Sequence, residues 1–271
     1  MNSRERLIAT LKHREPDRVP LDIGSTWNTG IHVSAYKNLL SHLKIKGVNI
    51  EIRDFVQQLA LVGEDILERL DVDVRGIYPK NPSNWKLIIN ENDCKHFTDQ
   101  YGIGWKMPKG GYYFDPFYFP LSMSSLDEIF SYPLPNPFDY ERIEGLKEEA
   151  IRYRNNGFFI FMNSITGGFL EVCFWLRGYE NFFCDLAVDP KFAISLMDIL
   201  LEIEMNYWDF VLSELGSFID VVYTANDLGA QNTSIISPSL YRKYIKPRQK
   251  KLNSFIKSKS PSVSIYYHSC G

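Results

Sequence analysis

Two side chains near the end of the sequence could bind one metal ion together. His268 and Cys270 are separated by a single residue and follow the apolar run 263–267. Residues i and i+2 of a strand point to the same side, so the imidazole and the thiolate can meet at one ion. This pair of ligand types suits zinc. As an alternative, both are strand-end residues that only make hydrogen bonds, because two ligands do not define a metal site.

Asp227 is a third polar residue at the end of a predicted strand. It follows the run 219–224 and lies in the sequence Asn226-Asp227-Leu228-Gly229. Ligands collect at the carboxyl ends of parallel strands, where loop side chains converge, and this predicts that Asp227 lines a pocket. A turn residue that caps its own loop beside Gly229 explains the same pattern.

The elements that must position these residues alternate between strand-like and helix-like stretches. Strands are predicted at residues 19–24, 72–78, 158–163, 219–224 and 263–267. Helices are predicted at residues 3–12, 34–43, 63–70, 140–154, 179–186, 190–215 and 238–257, with a further helix opening at 167–168. Repeated strand-helix units predict an α/β protein with a parallel sheet covered by helices.

Two details interrupt this regular pattern. Glycine and aromatic residues punctuate residues 85–120, which predicts an inserted antiparallel β-hairpin region. Arg177 and Glu180 lie three positions apart in a helical stretch, so we expect them to pair with each other.

Composition limits the possible partners. The 30 Lys and Arg residues nearly balance the 33 Asp and Glu residues, and a formal net charge of -3 predicts no binding to nucleic acid. No apolar run reaches the roughly 18 residues of a membrane-spanning helix, and the first residues lack a secretion signal. We therefore expect a cytoplasmic protein without a membrane partner, with reduced cysteines and a single domain over residues 1–271.

Four groups of residues, in the same order along the chain, resemble the uroporphyrinogen decarboxylase superfamily. They are residues 3–6 with 14–20, residues 165–168 with 175–182, residues 226–229 with 236–238 and 246–248, and the closing His268-Ser269-Cys270-Gly271. The resemblance implies a (β/α)8 TIM-type barrel with its pocket at the carboxyl ends of the strands. About five barrel strands can be placed here against the eight of a closed barrel. We therefore expect a barrel that is incomplete at its C-terminal end.

The superfamily contains two chemistries, and the residue types favour one of them. Its decarboxylases carry an arginine-rich opening stretch and a Phe-Ser-Asp-Ile-Leu strand, and residues 21–27 and 74–79 contain neither signature. Its methyltransferases use His-x-Cys as two zinc ligands, with a third cysteine later in the chain. The resemblance thus implies zinc-dependent methyl transfer between a corrinoid and a thiol or similar acceptor, with a third ligand beyond Gly271.

These considerations assign a role to each candidate residue. His268 and Cys270 are the predicted metal ligands, and Asp227 and His268 are the predicted catalytic residues. The substrate is a small molecule or a corrinoid protein, and a homodimer stays open. Uroporphyrinogen decarboxylation, a non-catalytic binding protein and an inactive fragment are the alternatives. The predicted substrate-binding residues are Asp22, Arg75, Tyr223 and Asn226.

Overall fold

The helices and strands follow the alternating order that the sequence predicts. A computed structural model of the protein describes residues 1–89 and 94–270. Its α-helices are α1 (Ser3–Leu11), α2 (Val33–His42), α3 (Glu64–Arg69), α4 (Leu146–Asn155), α5 (Phe169–Arg177), α6 (Tyr179–Val188), α7 (Lys191–Leu215), α8 (Pro238–Leu240) and α9 (Lys246–Lys259). Its strands are β1 (Ile52–Asp54), β2 (Leu59–Ala60), β3 (Val74–Ile77), β4 (Lys95–Thr98), β5 (Gly104–Met107), β6 (Asp115–Tyr118), β7 (Phe159–Met162), β8 (Val221–Ala225) and β9 (Ser264–His268).

Four parallel strands form the main sheet in the order β3-β7-β8-β9. Strands that are neighbours in this sheet are also consecutive parallel strands of the chain, and helices α4 to α9 lie in the connections between them. The predicted α/β class with a parallel sheet is therefore confirmed. This order is that of a barrel wall, but the described residues form no closed barrel, because β3 and β9 are both edges of the sheet.

The two faces of the main sheet have different neighbours. Ile160 and Met162 of β7 belong to the large core that includes residues of α5 and α7. Phe159 and Phe161 point to the opposite side, as alternate residues of a strand do, and Leu7 of α1 packs against them. Helix α1 thus covers the face of the sheet that carries Phe159 and Phe161, near the amino ends of the strands. The carboxyl ends are left for the loops that carry the candidate site.

Residues 19–24 do not form a strand, contrary to the prediction. Val19 is 83% exposed, and Pro20 has no N–H group to donate to a neighbouring strand. The chain runs beside the start of β3 instead. The Leu21 N–H donates to Asp73 Oδ2 at 2.8 Å, and the Leu21 carbonyl accepts from the Asp73 N–H at 2.9 Å. Leu21 is also 39% exposed, and Ile23 packs against the apolar cluster of α2 and α3. The apolar character of this run therefore does not indicate a strand buried within the sheet.

The same segment then reaches the carboxyl ends of β3 and β7. A Cβ atom added at Gly76 would lie 2.2 Å from the Ser25 carbonyl oxygen, so this approach requires glycine. Asn163, which follows β7, donates through Nδ2 to the carbonyls of Ser25 at 2.9 Å and Ile77 at 3.0 Å. These bonds hold the chain that follows residue 25 over the ends of the two strands.

The inserted antiparallel region is confirmed as the three-stranded sheet β4-β5-β6. Residues 86–89, which we expected to contribute to it, are not in a strand, and residues 90–93 lie outside the described part of the chain. Trp105 of β5 packs edge-on against Trp175 of α5, with ring centroids 5.2 Å apart. The insertion therefore shares the core of the main sheet.

Arg177 and Glu180 do not pair in this structure, contrary to the prediction. Helix α5 ends at Arg177, and Gly178, with φ of 85°, separates it from α6. Arg177 Nε binds Asp185 Oδ2 at 2.8 Å, and Nη1 donates to carbonyls of the loop 121–124. The spacing rule fails here because the two residues lie on different helices.

The predicted helices are otherwise present, with shifts at their ends. Ser237 caps α8 by accepting the Leu240 N–H at 3.3 Å, and Pro238 is the first helical residue, as predicted. The predicted helix that follows is divided, because a π-helical turn at Tyr241–Ile245 precedes α9. Among the described residues, we find no helix with the length and apolar character needed to cross a bilayer.

Candidate metal centre

The candidate site lies where β8 and β9 end side by side. Ala225 of β8 is paired with His268 of β9, so Asp227 and Cys270 each stand two residues beyond this pair. The Asn226 N–H donates to the His268 carbonyl at 3.1 Å and continues the strand pairing by one bond. Parallel pairing therefore brings together polar residues that are about forty positions apart in the sequence.

Asp227, His268 and Cys270 place three possible ligand atoms within 4.8 Å of one another. His268 Nε2 lies 3.4 Å from Asp227 Oδ1 and 3.5 Å from Cys270 Sγ. The Cys270 N–H donates to Asp227 Oδ1 at 2.9 Å, which fixes the carboxylate against the turn after β9. The sequence did not predict Asp227 as a ligand, because nothing local shows that it reaches the His-x-Cys pair.

The two distances from His268 Nε2 to the other candidate ligand atoms match those in a tetrahedral zinc site. Donor atoms held about 2.0 to 2.3 Å from zinc are about 3.3 to 3.8 Å from one another in that geometry. The two contacts of His268 Nε2 fall in this range. Thiolate, imidazole and carboxylate are all zinc ligands, and three protein ligands leave a fourth position for a substrate.

The local electrostatics also favour a cation. Burial raises the pKa of the Cys270 thiol, and the hydrogen bond and negative charge of Asp227 raise it further. Without a cation the sulfur therefore holds its proton more tightly than a free cysteine does. A bound divalent ion reverses this, since a coordinating thiol loses its proton.

Helix α5 supports the loop that carries Asp227. Glu171 Oε1 accepts a short hydrogen bond from the Asp227 N–H, and Asn226 Oδ1 accepts the Leu170 N–H at 2.8 Å. Burial raises the pKa of Glu171 to about 7, with a smaller contribution from the charge of Asp227. Sequence reasoning missed Glu171, because its position in an apolar helix gives no sign of a contact with residue 227.

Tyr223 lies in a row of aromatic rings beside the candidate metal site. Its ring stacks on Tyr266 with centroids 5.7 Å apart and meets the edge of Trp27 at 5.1 Å. Trp27 in turn meets Tyr78 at 6.0 Å. The Tyr223 hydroxyl donates to Asn28 Oδ1 at 2.7 Å. Tyr223 and Asn226 thus lie at the same ends of the strands as the candidate ligands, and their substrate-binding roles stay predictions.

The structure does not bring Asp22 or Arg75 into contact with the candidate ligands Asp227, His268 and Cys270. Asp22 accepts the Ser25 hydroxyl at 2.5 Å and closes its own turn, and burial raises its pKa. Arg75 is paired with Ile160, so its side chain lies on the helix-covered face of the sheet. There Glu64 Oε1 binds Arg75 Nη2 at 2.6 Å, and the Val72 carbonyl accepts from Nη1 at 2.8 Å. Because its donors are already used, this geometry gives no support to a substrate-binding role for Arg75.

The comparisons with known proteins rest on the fold. No protein-family model matches the chain, and no curated protein matches it either. A solved structure of a methyltransferase from Methanosarcina mazei is similar, with a TM-score of 0.51 and 15% sequence identity. The similarity covers 100% of this chain and 70% of that one. At this identity it shows a shared α/β fold, and membership of the uroporphyrinogen decarboxylase superfamily stays a prediction.

Proposed function

We propose that Asp227, His268 and Cys270 bind zinc and that the protein transfers methyl groups between a corrinoid and a thiol. The observation that carries the proposal is the cluster of three ligand atoms within 4.8 Å at the carboxyl ends of β8 and β9. The similarity in fold to a methyltransferase agrees with it. The third ligand that the resemblance places beyond Gly271 is not required, because Asp227 supplies a third donor from within the described chain.

Each part of the site has a defined task under this proposal. When bound, zinc lowers the pKa of a thiol substrate so that its sulfur can accept a methyl group at neutral pH. His268 and Cys270 hold the ion from one strand end, and Asp227 holds it from the next. Glu171 fixes the main chain at Asp227. The aromatic row beside them provides an apolar wall for a substrate body.

Metal content tests the first half of the proposal. Protein purified without chelator should contain about one zinc per chain, measured by elemental analysis. His268→Ala, Cys270→Ala and Asp227→Ala should each lose most of it. Cys184→Ala, which removes another exposed and free cysteine, is the matched control and should keep its zinc. Wild-type protein without zinc, or variants that retain it fully, would show that these residues are not a zinc site.

Activity tests the second half. When methylcobalamin is mixed with a thiol and the zinc-loaded protein, its absorption spectrum should change to that of cob(I)alamin. The thiol loses its proton, the sulfur takes the methyl group, and cobalt keeps the electron pair of the broken Co–C bond. The rate should fall at least about a hundredfold in His268→Ala. A rate that needs neither zinc nor His268 would contradict methyl transfer at this site. Release of CO2 from uroporphyrinogen without added metal would favour decarboxylation, the second function that the sequence suggests.

A further inference from the structure

Arg53 is a partly buried cation that forms no ion pair within the described residues. It lies in β1, and its Cζ atom is 3.8 Å above the centre of the Tyr78 ring. Its guanidinium forms no hydrogen bond and no ion pair with any residue in 1–89 or 94–270. The side chain is only partly exposed, and burial lowers its pKa. All five of its N–H donors are therefore available to a ligand.

Two buried arginines, unlike Arg53, each bind a carboxylate. Arg6 binds Asp17 Oδ1 at 2.7 Å, and Arg75 binds Glu64. Asp54, the neighbour of Arg53, is occupied differently: its Oδ1 accepts the Gln57 N–H at 2.6 Å. A guanidinium that has lost part of its hydration gains more than an exposed one when a carboxylate or similar anion binds it.

The charged groups around Arg53 do not neutralise it by contact. Asp54 and Glu149 raise its pKa through space, as do the hydroxyls of Tyr78 and Tyr207, but none forms an ion pair with it within the described residues. Tyr78 presents a ring face to the guanidinium and uses its hydroxyl to bind the Gly24 carbonyl at 3.0 Å. Cation–π contact of this kind positions an arginine without occupying its donors.

The position of Arg53 connects it to the candidate metal centre. The row of rings that begins at Tyr78 passes through Trp27 and Tyr223 to Tyr266. Tyr266 precedes His268 by two residues on β9, and alternate residues of a strand share a face. Arg53 and the candidate ligands thus stand at the two ends of one aromatic wall, at the carboxyl ends of the strands.

We propose that Arg53 binds a negatively charged group of the substrate while the reacting sulfur lies at the metal centre. The inference rests on the proposed function for the metal end only. It also transfers to Arg53 the recognition role that the sequence suggested for Arg75. A planar carboxylate would match the paired donors of the guanidinium, and the apolar part of the substrate would lie along the rings.

The test uses two series of probes with matched lengths. Mercaptocarboxylates with two to twelve carbons are compared with the corresponding mercaptoalcohols, because the longer members can extend along the row of four rings between Arg53 and the metal centre. Binding is followed through the sulfur-to-cobalt absorption band of protein loaded with Co²⁺ in place of zinc. At one chain length the acid should bind at least about tenfold more tightly than the alcohol.

Variants assign this preference to a residue. Arg53→Met should remove the preference for the acid and leave the affinity for the alcohol unchanged, and Arg53→Lys should keep part of it. Arg14→Met is the matched control, because Arg14 is an exposed arginine that is not among the charged groups acting on Arg53. It should behave as wild type. An equal preference in wild type and Arg53→Met, or no preference at any length, would overturn the proposal.

A second measurement separates this proposal from the metal site. Phenylglyoxal modifies free guanidinium groups, and peptide mass spectrometry gives the fraction of Arg53 that reacts in metal-free protein. Mercaptocarboxylates should protect Arg53, and the alcohols should not. Protection in a protein that binds no metal would retain the anion site and reject the zinc site. Failure of the acids to protect Arg53 more than the alcohols would reject the anion site itself.

Discussion

Glu204 illustrates at the residue scale how burial changes a carboxyl group. It lies on α7 with 3% exposure, and neither carboxyl oxygen has a hydrogen-bond partner among the described residues. With Tyr101 and Thr166 it lines a cavity of about 10 Å³, which has room for one water molecule. Burial raises the pKa of Glu204 to about 8, with a smaller contribution from Glu171. The carboxyl group is therefore protonated at neutral pH.

This shift predicts a pH dependence of stability that Glu204→Gln should remove. A carboxyl whose pKa is raised by folding stabilises the protein fully below its unfolded value of about 4.3, and the contribution is lost as the pH rises through about 8. Relative to wild type, Glu204→Gln should gain a few kcal/mol between pH 5 and pH 9. Urea unfolding at both pH values measures this.

Glu202→Gln provides the control for the Glu204 prediction. Glu202 lies on the same helix but is exposed, so its replacement should leave the pH dependence of wild type intact. If Glu204→Gln and wild type lose stability equally between pH 5 and pH 9, Glu204 is ionised in the folded protein at neutral pH and the predicted shift is wrong.

At the scale of elements, the contact between α5 and β8 decides whether the candidate ligands meet. Gly168 precedes α5, and an added Cβ would lie 1.8 Å from the Ala225 carbonyl oxygen. This close approach lets Leu170 and Glu171 bind the main chain and side chain of residues 226 and 227. The glycine is required by proximity, since its φ of 174° is available to any residue.

Gly168→Ala should therefore destabilise the protein and weaken metal binding together. Moving α5 away from β8 to avoid the clash should cost about 1 to 3 kcal/mol, measured by urea unfolding. Gly167→Ala is the matched control, because a Cβ built there would have no heavy atom of another described residue within 4 Å, apart from its chain neighbours. It should be neutral or slightly stabilising. Equal unfolding midpoints for the two variants would refute the proposed contact.

At the scale of the whole molecule, Asp73 connects the N-terminal segment to the main sheet. Its carboxylate is fully buried and accepts bonds from Arg18 Nη1 at 2.7 Å, from Arg6, and from the Leu21 N–H. Burial acts to raise its pKa, but these hydrogen bonds outweigh it and lower the pKa. Helix α1 and the segment after it are thereby fixed over the amino ends of the strands.

Asp73→Asn should loosen this connection and destabilise the whole fold. Loss of one partner of a buried charge network costs about 3 to 5 kcal/mol. Asp73 is the buried carboxylate of this network, whereas the other carboxylates that Arg6 and Arg18 bind, Asp17 and Asp71, are exposed. Asp71→Asn removes the other carboxylate that Arg18 binds, but Asp71 is 82% exposed, so the loss should be below about 1 kcal/mol. Thermal and urea unfolding should separate the two variants, and similar values would argue against the role of Asp73.

The sequence by itself determined the order of the elements and the residues at their ends. Periodic apolar residues located most helices and four of the five predicted parallel strands, because local burial patterns depend on neighbours in the chain. The predicted strand at residues 19–24 fails because apolar character does not reveal hydrogen bonding. His268 and Cys270 could be paired from the sequence, since two residues of one strand have a fixed relation.

Only the tertiary structure decided which distant residues meet. Asp227 joins the His-x-Cys pair because β8 and β9 are parallel neighbours. Arg75 is neutralised by Glu64, whereas Arg53 lies over the Tyr78 ring and forms no ion pair with any carboxylate of the described residues. These surroundings arise from packing between elements, and no local spacing encodes them. Charge and side-chain type are therefore set by the sequence, but whether a charge is available to a ligand is set by the fold.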